Sequence, residues 1–158
     1  MGTLSKTLSG CGGYIAGNAS LIEWLKHSAP GFVYSVGLAP ALAAAATESL
    51  KILHAESERV ARLQANTALF LDLAREAGFD TGTATAHAIV PVILKSSIAA
   101  ARYSQLLFAR GINVQPIIYP AVAEKAARLR FFMSSEHSEA DIRSTIAALI
   151  AIRQEAKG

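Results

Sequence analysis

Apolar side chains recur every three or four residues in four separate stretches, and this spacing predicts helices. The first carries Leu21, Ile22 and Leu25 on one face with Trp24 beside them; Asn18 precedes it and Ala29-Pro30-Gly31 ends it. The second runs through Leu42, Ala46, Leu50, Leu53, Val60, Leu63, Thr67, Phe70 and Ala74 to a stop at Gly78. Pro40 suits its first turn, where the missing N–H costs nothing. That span predicts either one unusually long helix or two joined near His54-Ala55-Glu56. Ile98, Ala101, Leu106 and Ala109 mark a third helix closed by Gly111. Ile142, Ile146, Leu149 and Ile152 mark a fourth, with Ser138-x-x-Asp141 as a capping-box start.

Denser apolar runs predict strands. Gly13 to Gly17 reads as a short buried strand, and Phe32-Val33-Tyr34-Ser35-Val36 is β-type by its branched and aromatic content. Ala88 to Leu94 is strand-like, with Pro91 arguing for an edge or a bulge. Ile112 to Gln115, ended near Pro116, and Arg130 to Met133 complete three strands that alternate with two helices. The C-terminal part therefore reads as a compact α+β module within an α/β chain.

Composition adds exclusions. The chain has 158 residues, of which 52% are hydrophobic, many of them alanine, so closely packed helices are expected. No apolar run approaches the roughly 18 residues of a membrane span, and the N-terminus has no basic-then-apolar leader pattern. Lys6 stands where a myristoylation signal needs Ser or Thr. The single Cys11 rules out an internal disulfide framework and lacks an evident base, so it reads as a small filler. A cytoplasmic protein is the expectation. The net charge of +3 is scattered and not interleaved with aromatics, which argues against nucleic acid. His27, His54, His87 and His137 are unclustered, so no metal site is expected.

Chemistry concentrates in Gly2-Thr3-Leu4-Ser5-Lys6-Thr7-Leu8-Ser9-Gly10-Cys11-Gly12-Gly13-Tyr14. A lysine amine attacks carbonyls once its pKa is lowered. Hydroxyls and free N–H groups of a glycine-rich turn suit a phosphate. An amine for an aldehyde beside donors for a phosphate is what pyridoxal 5'-phosphate requires, although a glycine-rich loop with a solvated lysine has the same composition. A P-loop would need glycine directly before the lysine, where Ser5 stands; the dinucleotide fingerprint fails because Ile15 follows Gly10 by five.

Four motifs in order extend this reading: Thr3-x-x-Lys6, Gly12-Gly13-Tyr14-Ile15-Ala16-Gly17, Tyr34-Ser35 with Leu38-Ala39-Pro40, and Arg128-Leu129-Arg130 ahead of His137. Over nearly the whole chain these resemble the C-terminal part of the α-oxoamine synthases, fold-type I pyridoxal-phosphate enzymes that join an amino acid to an acyl thioester and release carbon dioxide. The resemblance implies a remnant of the cofactor-binding large domain over residues 1–50, a long linking helix over 51–80, and a small α+β domain of about three strands over 81–158. It implies that Lys6 forms the Schiff base and moves protons at the substrate α-carbon, and that Thr3 contacts the cofactor phosphate. Ser35 would reach the neighbouring subunit's phosphate in a homodimer, although Val36 and Gly37 replace a polar residue and serine common there. Arg130 would hold the substrate carboxylate. Alternation puts Arg128 and Arg130 on the same strand face, so spacing does not choose between them; position before Phe131-Phe132-Met133, as in the family, favours Arg130. Ser5 and Ser9 read as loop formers, and His137 as structural.

The implied substrates are an amino acid and an acyl group on coenzyme A or a carrier, and the implied assembly is a homo-oligomer. In the family the cofactor's ring-stacking residue and the aspartate on its pyridine nitrogen precede the lysine, in segments not present here, so this chain by itself is expected to lack full activity. An aminotransferase or lyase of the same fold, and a non-catalytic oligomerising α+β domain, are the alternative readings.

Overall fold

A computed structural model describes residues 1–155 and divides into two compact units, Met1–Ser57 and Glu58–Gly158. In the first unit, β1 (Gly2–Thr3) and β2 (Gly13–Tyr14) pair antiparallel and close the lysine loop between them. The run from Gly13 to Gly17 was expected to be a buried strand. Only its first two residues pair, and all five are exposed, so the run is neither a full strand nor buried. Helix α1 (Ala19–Ser28) starts where Asn18 predicts: the Asn18 Oδ1 accepts the Leu21 N–H at 2.8 Å.

The β-type reading of Phe32 to Val36 is corrected. Pro30 pre-sets a helical φ, and the N–H groups of Val33 and Tyr34 bond to the carbonyls of Ala29 and Pro30 at 2.9 and 3.1 Å, giving the one-turn helix α2 (Pro30–Val33). Local hydrogen bonds outweigh β propensity where no neighbouring strand offers a ladder. Helix α3 (Pro40–Ala55) then begins at its proline. The long apolar repeat resolves into two helices, since Glu56 leaves helical geometry (φ −120°, ψ 54°) and α4 (Glu58–Glu76) starts anew.

The second unit has two layers. Strands β3 (Ile89–Ile93), β4 (Gln115–Ile117) and β5 (Arg128–Phe132) form an antiparallel sheet in the order β3-β5-β4. Pro91 lies on an edge strand, as its missing N–H requires. The second strand falls later than expected and contains Pro116, also at an edge. Its predicted start is used otherwise: the Ile112 N–H bonds to Leu107 O at 2.9 Å, and Gly111 adopts φ +80° to close helix α5 (Ser97–Phe108). The third strand begins two residues before its expected start.

One sheet face, carrying Val90, Val92, Leu129 and Phe131, is buried under α4, α5 and α6 (Glu139–Glu155). The rings of Phe70 and Phe131 lie 4.8 Å apart, tilted by 44°. The inward residues of α6 are the four that the spacing predicts. In α5 the buried face is Ala100, Tyr103 and Leu107, whereas Ile98 is 82% exposed and corrects the predicted face. Alanine-rich spacing leaves the phase of that helix open, and Tyr103 decides it.

The register sets the other face. Pro91, Arg130 and Gln115 stand in one row, and Ile93, Arg128 and Ile117 in the next. No described helix is long and apolar enough to cross a membrane.

Candidate functional site

Lys6 sits at the tip of the loop that β1 and β2 close. Leu4 and Leu8, either side of it, are buried with Ala46 and peg the loop down. Backbone bonds tighten it: the Leu4 N–H to Gly12 O at 2.9 Å, Gly10 to Leu4 O at 2.7 Å, and Ser9 to Lys6 O at 2.9 Å. Gly12 has φ +116°, which a side chain would strain, and a Cβ on Gly13 would come within 3.0 Å of Gly2 O. The two glycines thus serve different ends, Gly12 a conformation and Gly13 a close approach.

These constraints hold three side chains together. The hydroxyls of Thr3 and Ser5 lie 2.9 Å apart, and the Lys6 ammonium donates to Ser5 Oγ at 3.1 Å. Thr3 also takes the Ser5 N–H at 3.3 Å. By sequence Ser5 reads as a loop former. The structure makes its hydroxyl the link between Thr3 and Lys6, and its adjacency to the lysine was the available signal. No described carboxylate pairs with Lys6. The Lys6 side chain is exposed and touches the single hydroxyl of Ser5, so an incoming carbonyl can reach it.

Ser35 follows α2, where its hydroxyl donates to Phe32 O at 3.2 Å and accepts the Gly37 N–H at 3.3 Å. It shapes its own turn and does not join the Thr3–Ser5–Lys6 network. Cys11 is exposed, so its reading as a filler is corrected. A cavity of about 560 Å³ in this unit is lined by Gly2, Tyr14, Ile22, Leu25 and Phe32 but not by Lys6.

Arg130 belongs to the second unit. It is exposed at the middle of β5 on the uncovered sheet face, its guanidinium 4.9 Å from the centre of the Phe132 ring. Pro91 and Gln115 flank it and leave its donors without a carboxylate among the described residues. Arg128 shares that face, as alternation requires, but is half-buried and donates its Nε–H to Ala126 O at 2.7 Å. His137 takes a structural place: its Nδ1 accepts the Ser134 N–H at 3.3 Å, and its carbonyl the Asn66 amide at 2.8 Å. No cluster of described residues could hold a metal ion.

Comparison with known proteins gives these geometries a family. The aminotransferase class I and II family matches residues 1–149. An 8-amino-7-oxononanoate synthase of Fervidobacterium nodosum is 42% identical over 142 residues, covering 90% of this chain and 36% of that protein. A serine palmitoyltransferase of Bacteroides thetaiotaomicron is 36% identical over 150 residues, covering 95% and 38%. Among solved structures, SPT with its pyridoxal-phosphate internal aldimine superposes with a TM-score of 0.87 at 29% identity, over 95% of this chain and 38% of that one. The chain thus spans little more than a third of the length of the relatives it matches. A fold, a lysine loop and a family match in register over most of the chain lead to one conclusion: the chain belongs to the class I and II aminotransferase family, matching the C-terminal part of its α-oxoamine synthase members.

Proposed function

We propose that the protein to which this chain corresponds is a pyridoxal-phosphate-dependent acyltransferase that joins an amino acid to an acyl thioester with loss of carbon dioxide. The observation that carries the reading is the Lys6 amine held by Ser5, itself bonded to Thr3, in a loop pegged by Leu4 and Leu8. These residues fit the cofactor: an amine without a carboxylate partner suits its aldehyde, and two clustered hydroxyls suit its phosphate. Pyridoxal phosphate, when bound, supplies the electron sink for charge developing at the α-carbon.

In this reading Lys6 holds the cofactor and moves a proton at the substrate α-carbon. Thr3 donates to the cofactor phosphate. Ser35 donates to the phosphate in the partner subunit of a homo-oligomer. Arg130 grips the amino acid carboxylate in a two-pronged hydrogen bond, which fixes the α-carbon geometry. Support comes from the uncovered position of Arg130 and from its guanidinium, which stacks on Phe132 and pairs with no carboxylate among the described residues. In the same reading the working form is cytoplasmic, with coenzyme A or a carrier protein bearing the acyl group.

The test is product analysis on the protein expressed from its complete reading frame and loaded with pyridoxal phosphate. Mixed with an amino acid and an acyl-CoA, it is expected to release free thiol and carbon dioxide in equal amounts. Transfer of the amino group to a keto acid, without thiol release, would make it an aminotransferase instead.

A further inference from the structure

The uncovered sheet face carries a second feature that the reading above does not use. A cavity of about 470 Å³ opens there, lined by Arg128, His87, Thr83, Ile89, Pro91 and Ile93. Its floor is the outward row of β3, and its rim is the Gly82–Thr85 turn. Gly82 has φ +56°, and a Cβ on it would meet Ile93 Cδ1 at 3.3 Å, so the turn lies close against the floor.

Arg128 is built into this cavity where Arg130 is not. It is half-buried, and no carboxylate among the described residues pairs with it. Its Nε–H is committed to Ala126 O at 2.7 Å, which fixes the plane of the guanidinium and leaves its remaining donors for another acceptor. The carbonyl that fixes it is itself held in place. Ala126 ends the 3-10 turn Glu124–Ala126, and the Glu124 carboxylate accepts both the backbone N–H of Ser97, at 2.7 Å, and the Ser97 hydroxyl. The same Ser97 oxygen accepts the Tyr119 N–H at 3.2 Å, so the β4–β5 connection is latched to the start of α5 at two points. A guanidinium oriented through a latched carbonyl, over an apolar floor, has the form of a receptor for an anion on an aliphatic stem.

We propose that this cavity is a second anion subsite, taking the carboxylate of an aliphatic chain on Arg128, with the stem along Ile89, Pro91 and Ile93. Glu124 is a positioning residue that acts through Ala126. The proposal extends the reading of the Arg130 face and makes no use of Lys6, so the two fail separately.

Titration of the chain with octanoate, followed by NMR of isoleucine methyls and histidine rings, tests it. Octanoate is expected to shift Ile89, Ile93 and His87, with affinity reduced at least tenfold in Arg128→Met. Glu124→Ala is expected to weaken binding about threefold while leaving core methyl signals unmoved. Should Arg128→Met fail to fold, Arg128→Lys keeps the charge but loses the bond to Ala126 and is expected to lose about fivefold. Octanol binding as well as octanoate would reduce the cavity to an apolar groove. Inorganic phosphate binding as tightly would make it a phosphate site. Either result, or octanoate binding unchanged in the Arg128 variants, overturns the proposal.

Discussion

Lys6 shows how much chemistry one residue's setting decides. Its type and its glycine-rich surroundings were legible in the sequence, as was Thr3 three places earlier. The role of Ser5 was not, because a serine in a turn looks the same whether its hydroxyl faces water or a neighbouring amine. In the folded loop, with Leu4 and Leu8 buried on either side, the Ser5 hydroxyl lies between both partners. Replacing Ser5 by alanine is therefore expected to slow covalent capture of pyridoxal phosphate at Lys6 several-fold, measured by absorbance, while leaving the melting temperature within about 2 °C, as for most surface substitutions. The arginine pair behaves similarly. Alternation placed both on one face, yet the burial of Arg128 and its bond to Ala126 appear only once the β4–β5 connection is built. In the core, Leu129 is fully buried at the centre of the sheet. Leu129→Ala is expected to cost about 2–5 kcal/mol in denaturant unfolding, the range for a leucine whose cavity only partly relaxes.

At the scale of elements, the helices were read more faithfully than the strands. The start of α6 is reciprocal, as Ser138-x-x-Asp141 suggests: the Ser138 N–H donates to Asp141 Oδ2 at 2.9 Å and the Asp141 N–H to Ser138 Oγ at 3.1 Å. The Ser138 hydroxyl and N–H hold the Asp141 carboxyl below its ordinary value. A carboxyl depressed in the folded state contributes stability above its unfolded pKa and loses it as pH falls through the folded one. Thermal stability is thus expected to fall in acid below the usual aspartate range, with the slope reduced in Asp141→Asn; an unchanged slope would remove the cap from the account. Gly78, at φ +75°, ends α4 with the Phe79 N–H on Ala74 O at 2.9 Å. Gly78→Ala is expected to destabilise by about 1–2 kcal/mol in a thermal melt, the cost of a left-handed residue with a Cβ. The strand boundaries moved because proline and local hydrogen bonds override apolar density. Phe32 to Val36 has strand composition but lies behind Pro30, and Ile112 is spent on a helix stop before β4 can begin.

For the whole molecule, the two units differ in how completely they bury their apolar residues. The second has a continuous core from Phe70 to Ile152. The first buries Leu4, Leu8 and Ala46, while Trp24, Phe32, Tyr34 and Val36 are more than half exposed. Their apolar character marks them for burial, yet sequence alone says nothing about what covers a face. Exposed apolar area of this kind favours association. The chain is expected to self-associate in sedimentation at high concentration, and a monodisperse monomer would contradict that.

The lysine reading stands or falls on a covalent mark. Pyridoxal phosphate mixed with the protein, reduced with borohydride and mapped by peptide mass spectrometry is expected to label Lys6 at a single stoichiometric site. Labelling spread over Lys26, Lys51, Lys95 and Lys125, with no preference for Lys6, would show that the loop is not built for the cofactor.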